Sequence, residues 1–244
     1  MVARTLNPAV HTVRREAFVE AAERLMQTRT YERTSIQDIL DSLGASRGAF
    51  YHYFDSKQAL LEAVIDRMVD AGLASVQPIV EDPNLPAPTK LVRMFSGIGQ
   101  WKTERKDLIL SFIEVWLSDH HAVVREKFRR KLVTRFVPVL GAIVKQGIEE
   151  GSFHVESPES AARVLMMLIQ GLQDEATELY VARQANTIGY DEVEARFASY
   201  TGAVERVLGV QAGSISLIDK PILQAWYGNW IGDRRRPDGI DHRS

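Results

Sequence analysis

The sequence predicts an all-α protein, and three observations support this prediction. Apolar residues recur at spacings of three and four along most of the 244 residues, which is the period of one helix face. Residues that start or end helices, such as Gly44, Ser46 and Pro158, fall between these stretches. No stretch alternates polar and apolar residues as a half-buried strand does. We therefore predict an N-terminal domain of three helices, followed by a larger helical C-terminal domain.

Two helices are predicted before residue 45. An apolar stripe within residues 17–26 predicts the first helix, which ends at 27–31. Thr34 and Gln37 fit a capping box, in which Thr34 accepts a hydrogen bond from the Gln37 backbone N–H and the Gln37 side chain reaches back. Gly44 ends this second helix, because glycine adopts the left-handed conformation at little cost.

A third short helix follows directly and completes a helix-turn-helix pattern. Ser46 is a favourable N-cap, and the helix runs through residue 53. Its first turn contains the small residues Gly48 and Ala49, the segment 51–53 carries phenol and imidazole rings, and two phenylalanines four residues apart face inward. A helix that inserts its N-terminus into the major groove of DNA needs this division. Plain helical bundles also contain such turns, so the spacing alone leaves both interpretations open.

Residues 11–66 resemble the N-terminal domain of the TetR (tetracycline-repressor) family. The matching segments are TSIQDI at 34–39, LGASRGAFYHYF at 43–54, SK at 56–57 and LL at 60–61. The resemblance implies a ligand-responsive, dimeric DNA-binding transcriptional regulator, with a repressor that a small molecule releases from double-stranded operator DNA as the preferred mode. The DNA-binding positions that it implies are Thr34, Ser35, Gln37, Ser46, Arg47, Gly48, Ala49, Tyr51, His52, Tyr53 and Lys57.

The resemblance also suggests a role for each group of these residues. The segment 47–49 faces base edges, whereas 51–53 mostly hold the DNA backbone. Gln37 can reach a base, and Lys57 meets a phosphate at the start of the next helix, where the helix dipole already favours an anion. Purely structural alternatives remain for some positions: Tyr53 can belong partly to the core, Ser35 can act only as a cap, and Gln37 can serve only the capping box.

The C-terminal part is predicted to be helical throughout. Prolines within 77–88 predict a loop there. Further helices are predicted at 57–72, 89–103, 106–118, 121–149, 159–184 and 190–208. We expect a helix-turn-helix domain at 1–57 and a ligand-binding and dimerisation domain at 58–210, with the helix at 57–72 connecting the two. A C-terminal extension follows at 211–244, with a helix at 215–230 and then a frayed tail.

The resemblance implies an effector pocket and a homodimer interface in this C-terminal part. The pocket candidates are Met94, Trp101, Phe112, Glu114, Trp116, Met166, Met167 and Gln170. Their character predicts an apolar or aromatic effector, and Glu114 predicts a hydrogen-bond donor or cationic group on it. The interface candidates are Leu165, Leu168, Leu172, Val193, Phe197, Tyr200 and Val204. A core within one chain is the alternative for both sets.

Composition restricts the other classes of function. Lys and Arg number 30 and Asp and Glu 32, so the net charge of −2 does not indicate a nucleic-acid partner. The absence of cysteine excludes thiolate metal sites and cysteine nucleophiles, and no phosphate-binding glycine loop or nucleophile elbow is present. We predict no enzyme activity, cofactor or metal. The uncharged stretches are too short to span a bilayer, so we expect a cytoplasmic protein without membrane contact. A helical adaptor without a DNA role is the main alternative, and a small-molecule enzyme is the least supported one.

Overall fold

The computed structural model describes residues 8–217 and 219–228, and every regular element in these ranges is helical. The helices are α1 (Pro8–Thr28), α2 (Ile36–Leu43), α3 (Arg47–Tyr53), α4 (Lys57–Glu81), α5 (Ala87–Glu104), α6 (Lys106–Leu110), α7 (Ile113–Leu117), a 3-10 turn (Asp119–His121), α8 (Ala122–Glu149), α9 (Pro158–Gln184), α10 (Tyr190–Leu208), α11 (Lys220–Leu223) and a π-helical turn (Gln224–Gly228). The predicted all-α class is confirmed. None of the helices in the described part of the chain is long and apolar enough to cross a membrane.

Of the described residues, the first compact unit comprises those from Pro8 to Ala74 together with Glu104–Thr134. Its core joins apolar side chains of α1 to α4 with those of α6, α7 and the start of α8. These include Phe18, Ala22, Ile39, Leu40, Phe50, Phe54, Leu60, Leu108, Phe112, Val115 and Val124. The helix-turn-helix is thus held by a core that extends well beyond residue 57. The functional boundaries at 57 and 210 remain predictions.

The second unit contains Ser75–Thr103 and the described residues from Arg135 onward. Here α4 continues through Pro78 to Glu81, so the loop predicted at 77–88 is only residues 82–86. A methyl group at Gly97 of α5 would lie 3.0 Å from Val76 Cγ1 and 3.7 Å from Ile79 Cδ1. This close packing stabilises the last turns of α4, although the proline removes one backbone donor.

The C-terminal segment, the described residues between 211 and 228, belongs to the second unit. Its structure differs from the helix predicted at 215–230. Ile215 and Leu217 are buried without being helical, and helical structure begins only at Lys220. The Ile215 N–H donates to Glu205 Oε1 at 3.0 Å, and the Tyr227 hydroxyl donates to the Ala176 carbonyl at 3.0 Å. Contacts with other elements therefore determine this segment's path. The predicted frayed tail, 233–244, lies outside the described residues.

Candidate DNA-binding surface

Helix α3 is anchored from behind by buried aromatic side chains. The Ala49 N–H donates to Ser46 Oγ at 3.2 Å, which confirms Ser46 as the N-cap. The Phe50 ring is fully buried and lies 5.7 Å from the Phe18 ring of α1, centroid to centroid. Phe54 is also buried. Because these contacts fix the inner face of α3, the opposite face is held in one orientation.

The outer face of α3 carries most of the residues that were expected to meet DNA. Ser46, Arg47, Gly48, Tyr51 and His52 are exposed, and 52% of the Tyr51 surface is accessible. The other two candidates on this helix, at positions 49 and 53, are half-buried. Within the described part of the chain, no carboxylate forms an ion pair with Arg47, so its guanidinium is available to a phosphate or a base edge.

Among the described residues, none lies close enough to Gly48 to require a glycine at this position. A methyl group added there would meet only Ser46 Oγ, at 3.9 Å, which is ordinary contact distance. Its backbone is helical, unlike that of Gly44, which has a φ of +59° at the end of α2. The space in front of Gly48 is therefore open to a ligand that approaches the backbone closely.

Helix α2 is capped one residue later than predicted. The Asp38 N–H donates to Ser35 Oγ at 3.1 Å, and the Ser35 N–H donates to Asp38 Oδ2 at 2.8 Å. These hydrogen bonds hold the pKa of Asp38 below its ordinary value. The expected pairing of Thr34 with Gln37 is therefore wrong, because Thr34 turns inward and donates to the Thr30 carbonyl at 3.1 Å.

This capping register changes what α2 can present to DNA. Thr34 is completely buried, so its side chain does not reach a phosphate. Ser35 and Gln37 are exposed, but each already has a partner: Ser35 forms the cap, and Gln37 Nε2 donates to Asp41 Oδ1 at 2.8 Å. A base contact by Gln37 would require this amide to exchange partners.

Lys57 lies at the N-terminus of α4 and is already positioned by the protein. Its Nζ is 4.1 Å from the centroid of the Tyr31 ring and donates to the Glu32 carbonyl at 3.4 Å. Burial lowers the pKa of Lys57, and burial followed by the charge of Glu32 raises the pKa of Tyr31 to about 12. The ammonium is therefore fixed beside a helix N-terminus, where backbone N–H groups favour an anion.

The carboxylate of Glu32 is held in turn by the 3-10 turn before α8. His121 Nε2 lies 2.8 Å from Glu32 Oε1, and the His121 ring meets the Tyr31 ring edge-on at 5.5 Å. The environment of Lys57 is thus connected through Tyr31 and Glu32 to the segment that enters α8.

His11 is a neighbour of the recognition helix that the sequence analysis missed. Its ring lies 5.5 Å from the His52 ring and 4.7 Å from the Tyr53 ring. The sequence did contain a signal, because His11 precedes Phe18 by seven residues and therefore shares its helix face. Phe18 itself packs against Tyr53, with ring centroids 5.8 Å apart.

The eight effector-pocket candidates divide between the two units. Phe112, Glu114 and Trp116 belong to the first unit, and Met94, Trp101, Met166, Met167 and Gln170 to the second. Phe112 is part of the first unit's core, and Trp116 packs on Phe128 with ring centroids 4.9 Å apart. Glu114 is exposed, which removes the reason to expect a cationic group on the effector.

The five candidates in the second unit also differ in burial. Met94 and Met166 are buried, Trp101 and Gln170 are half-buried, and 70% of the Met167 surface is accessible. A side chain as open as Met167 does not line an enclosed pocket in this chain. It is instead free to contact another molecule.

The side chains predicted to form the dimer interface are mostly covered by their own chain. Leu165, Val193, Phe197 and Val204 are buried, whereas Leu168, Leu172 and Tyr200 are half-buried. The Phe197 ring lies 5.6 Å from the ring of Tyr227 in the C-terminal segment, and Leu223 completes the same cluster. Direct contact of Val193 or Phe197 with a second subunit is therefore ruled out in this packing.

The short helices α2 and α3, their left-handed glycine turn and the exposed N-terminal half of α3 define a helix-turn-helix DNA-binding protein. The sequence profile of bacterial regulatory proteins of the tetR family matches residues 18–64. The chain belongs to the TetR family of transcriptional regulators.

Relatives and solved structures agree with this family. The transcriptional repressor DhaR of Mycobacterium sp. is 27% identical over 64% of this chain and 79% of its own length. The transcriptional regulator EthR of Mycobacterium tuberculosis is 36% identical, but this match covers only 28% of the chain and 31% of EthR. A TetR transcription regulator from Haloarcula marismortui has a TM-score of 0.58 at 21% identity, over 81% of this chain and 97% of that structure. This structural likeness shows a shared helical fold.

Proposed function

We propose that this regulator is a cytoplasmic, homodimeric repressor that binds a near-palindromic operator and is released by a small-molecule effector. The observation that supports this proposal most directly is the division of α3. Phe50 and Phe54 fix its inner face, while Arg47, Gly48 and Tyr51 stand exposed on the outer one. Such a helix can enter a major groove without rearrangement of the core.

The expected contacts divide into two kinds. Arg47 is suited to a base edge, because a guanidinium can donate two parallel hydrogen bonds to guanine. Tyr51, His52 and Lys57 are suited to phosphates, which position the protein without reading the sequence. The ring of His11, which neighbours His52 and Tyr53, can add a further contact. The role of Thr34 is to support the turn before α2 from within.

The dimer surface that we propose lies on the exposed sides of α9 and α10. On α9, Val164 is 42% and Met167 70% accessible, although the sequence around them is apolar almost all round. On α10, the exposed positions include the small residues Ala195, Ala198 and Ser199. Small side chains allow a second pair of helices to approach closely, and burial of Met167 and Val164 would supply apolar contact.

Release by an effector requires two states of the dimer. In the DNA-competent state, two recognition helices lie about 34–36 Å apart and meet successive major grooves. Helix α4 begins at Lys57 in the first compact unit, and its residues from Ser75 onward belong to the second, so a shift of this helix would move the DNA-binding residues at its start. By linkage, an effector that weakens DNA binding is itself bound more weakly by the DNA complex.

Gel-shift titration with the DNA that flanks the protein's own gene tests this function. Arg47→Ala should weaken binding at least about 10-fold and relax base preference at one position of each half-site. The matched control is Arg24→Ala, which removes the same charge from an exposed α1 position that is paired with Glu20 at 3.9 Å. Lys57→Ala should weaken all DNA sequences alike and lower the salt dependence by about one ion per subunit. Equal affinity of wild type, Arg47→Ala and Lys57→Ala would contradict the proposed surface.

A further inference from the structure

Helix α5 carries a row of apolar side chains that ends in a lysine. Leu91, Phe95, Ile98 and Lys102 follow one another at spacings of four, three and four, so they share one helix face. Leu91 is buried, whereas the other three are half-buried. The face is therefore apolar along three turns and cationic at its end.

Another lysine on the same helix shows how this chain satisfies a buried ammonium. Lys90 is only 5% exposed, and its Nζ donates to the Val80 carbonyl at 2.8 Å. The carboxylate of Glu150 also lies near enough for the two charges to interact. Lys90 is thus supplied with an acceptor and an opposite charge from its own unit.

Lys102 receives neither of these from the part of the chain that the structure describes. No hydrogen bond or ion pair involves its Nζ there, and loss of hydration alone lowers the pKa of Lys102. Part of its side chain nevertheless remains accessible. The Lys102 ammonium thus lies among protein atoms that limit its hydration, and an unpaired charge in such a place is costly unless a ligand compensates it.

The C-terminal segment covers α5 next to this position. A methyl group at Gly99 would lie 2.8 Å from Ile222 Cδ1, so the two elements are in close contact. Trp226 Nε1 donates to Thr103 Oγ1 at 2.8 Å, one residue after Lys102. These contacts cover α5 at Gly99 and Thr103, on either side of Lys102, and a charge pair is stronger where less water surrounds it.

We propose that Lys102 binds the carboxylate of an amphipathic monocarboxylic acid, whose apolar part lies along Ile98 and Phe95. This inference rests on the proposed function, because it assigns the acid as the class of small-molecule effector. A single ammonium matches a single negative charge, whereas a phosphate ester would need further cations or a cradle of backbone N–H groups. The sequence predicted an apolar or aromatic effector that carries a hydrogen-bond donor or a cationic group. The acid takes its place here, because Glu114 is exposed and the Lys102 ammonium has no partner among the described residues.

Calorimetric titration of the full-length protein, without DNA, tests the site with two matched pairs of probes. These are decanoate against decanol and 4-phenylbutyrate against 4-phenylbutanol. At least one acid should bind the wild-type protein about 10-fold or more tightly than its own alcohol. Lys102→Met should abolish this preference while leaving the alcohol's affinity unchanged, and Lys102→Arg should retain it because the positive charge is kept. Lys145→Met, at an exposed position of α8, is the control and should behave as wild type.

The alternative outcomes are distinct. If neither acid binds more tightly than its alcohol, or if Lys102→Met keeps the preference, the proposal is overturned. Thermal unfolding shows whether Lys102→Met is folded, and we expect it to be at least as stable as wild type, because an unpaired and poorly hydrated charge has been removed. A gel-shift assay with the same acid then tests the regulatory role separately. Binding through Lys102 without release of DNA would support the site and contradict effector-controlled repression.

Discussion

A methyl group added at Gly48 should separate the stability of the fold from its affinity for DNA. Gly48 lies in the first turn of α3, and its nearest new contact would be Ser46 Oγ at 3.9 Å. Since this distance is unstrained and the backbone is helical, Gly48→Ala should fold normally. The substitution places the methyl group on the surface that we assign to the major groove.

The two expected effects have opposite signs. Alanine is favoured over glycine within a helix by about 0.5–1 kcal/mol, which raises the midpoint of thermal unfolding by roughly 1–4 °C for a chain of this size. A steric cost of about 1.4 kcal/mol at each recognition helix corresponds to about 10-fold in affinity. Because the proposed dimer presents the methyl group twice, operator affinity should fall about 100-fold.

Scanning calorimetry and gel-shift titration measure the two quantities on the same preparation. Gly44→Ala is the control within the same motif, because a φ of +59° makes alanine strained there although nothing lies within 4 Å of the added methyl group. That variant should lose about 1–2 kcal/mol of stability while its folded fraction keeps wild-type affinity. Wild-type operator affinity of Gly48→Ala would refute the groove-facing assignment of α3.

Three further outcomes are expected. Met167→Glu should yield monomers in sedimentation velocity, because it places a carboxylate on the proposed dimer surface. The control Val123→Glu, at a position that is 61% exposed on α8, should remain dimeric. If both variants are dimers, the proposed dimer surface is wrong. Hydrogen bonds from Ser35 lower the pKa of folded Asp38, so their stabilisation is present above the unfolded pKa of about 3.9 and is lost as pH falls through the folded value. The free energy of unfolding of Asp38→Asn, measured in urea, should lack this pH-dependent contribution. Glu114→Gln should leave operator release by the effector unchanged, because Glu114 is exposed. A changed response would indicate that Glu114 does contact the effector.

Local features of the fold could be predicted from the sequence because they depend on neighbours a few residues apart. The N-cap at Ser46, the left-handed turn at Gly44 and the inward direction of Phe50 all follow from helix periodicity and capping chemistry. Helix α10 spans the predicted residues 190–208 for the same reason, since Gly189 and Gly209 flank it. The family signature over α2 and α3 then identified the class of regulator.

Features that depend on distant partners could not be predicted in this way. Periodicity shows that Phe112 and Trp116 have a covered face, but it does not show that the first unit's own core covers it. Val193 and Phe197, predicted to lie in the dimer interface, are covered within their own chain because the C-terminal segment, whose sequence gives a weak helical signal, supplies Leu223 and Tyr227 to the same apolar surface.

The amino-acid sequence by itself thus determined the helical class, the helix-turn-helix and the polar outer face of α3. Only the tertiary structure decided which faces remain open to DNA, to a second subunit and to a ligand. Lys102 shows the physical reason most clearly. Its residue type gives it a charge, but whether that charge is hydrated, paired like Lys90 or left without a partner depends on elements brought together by folding.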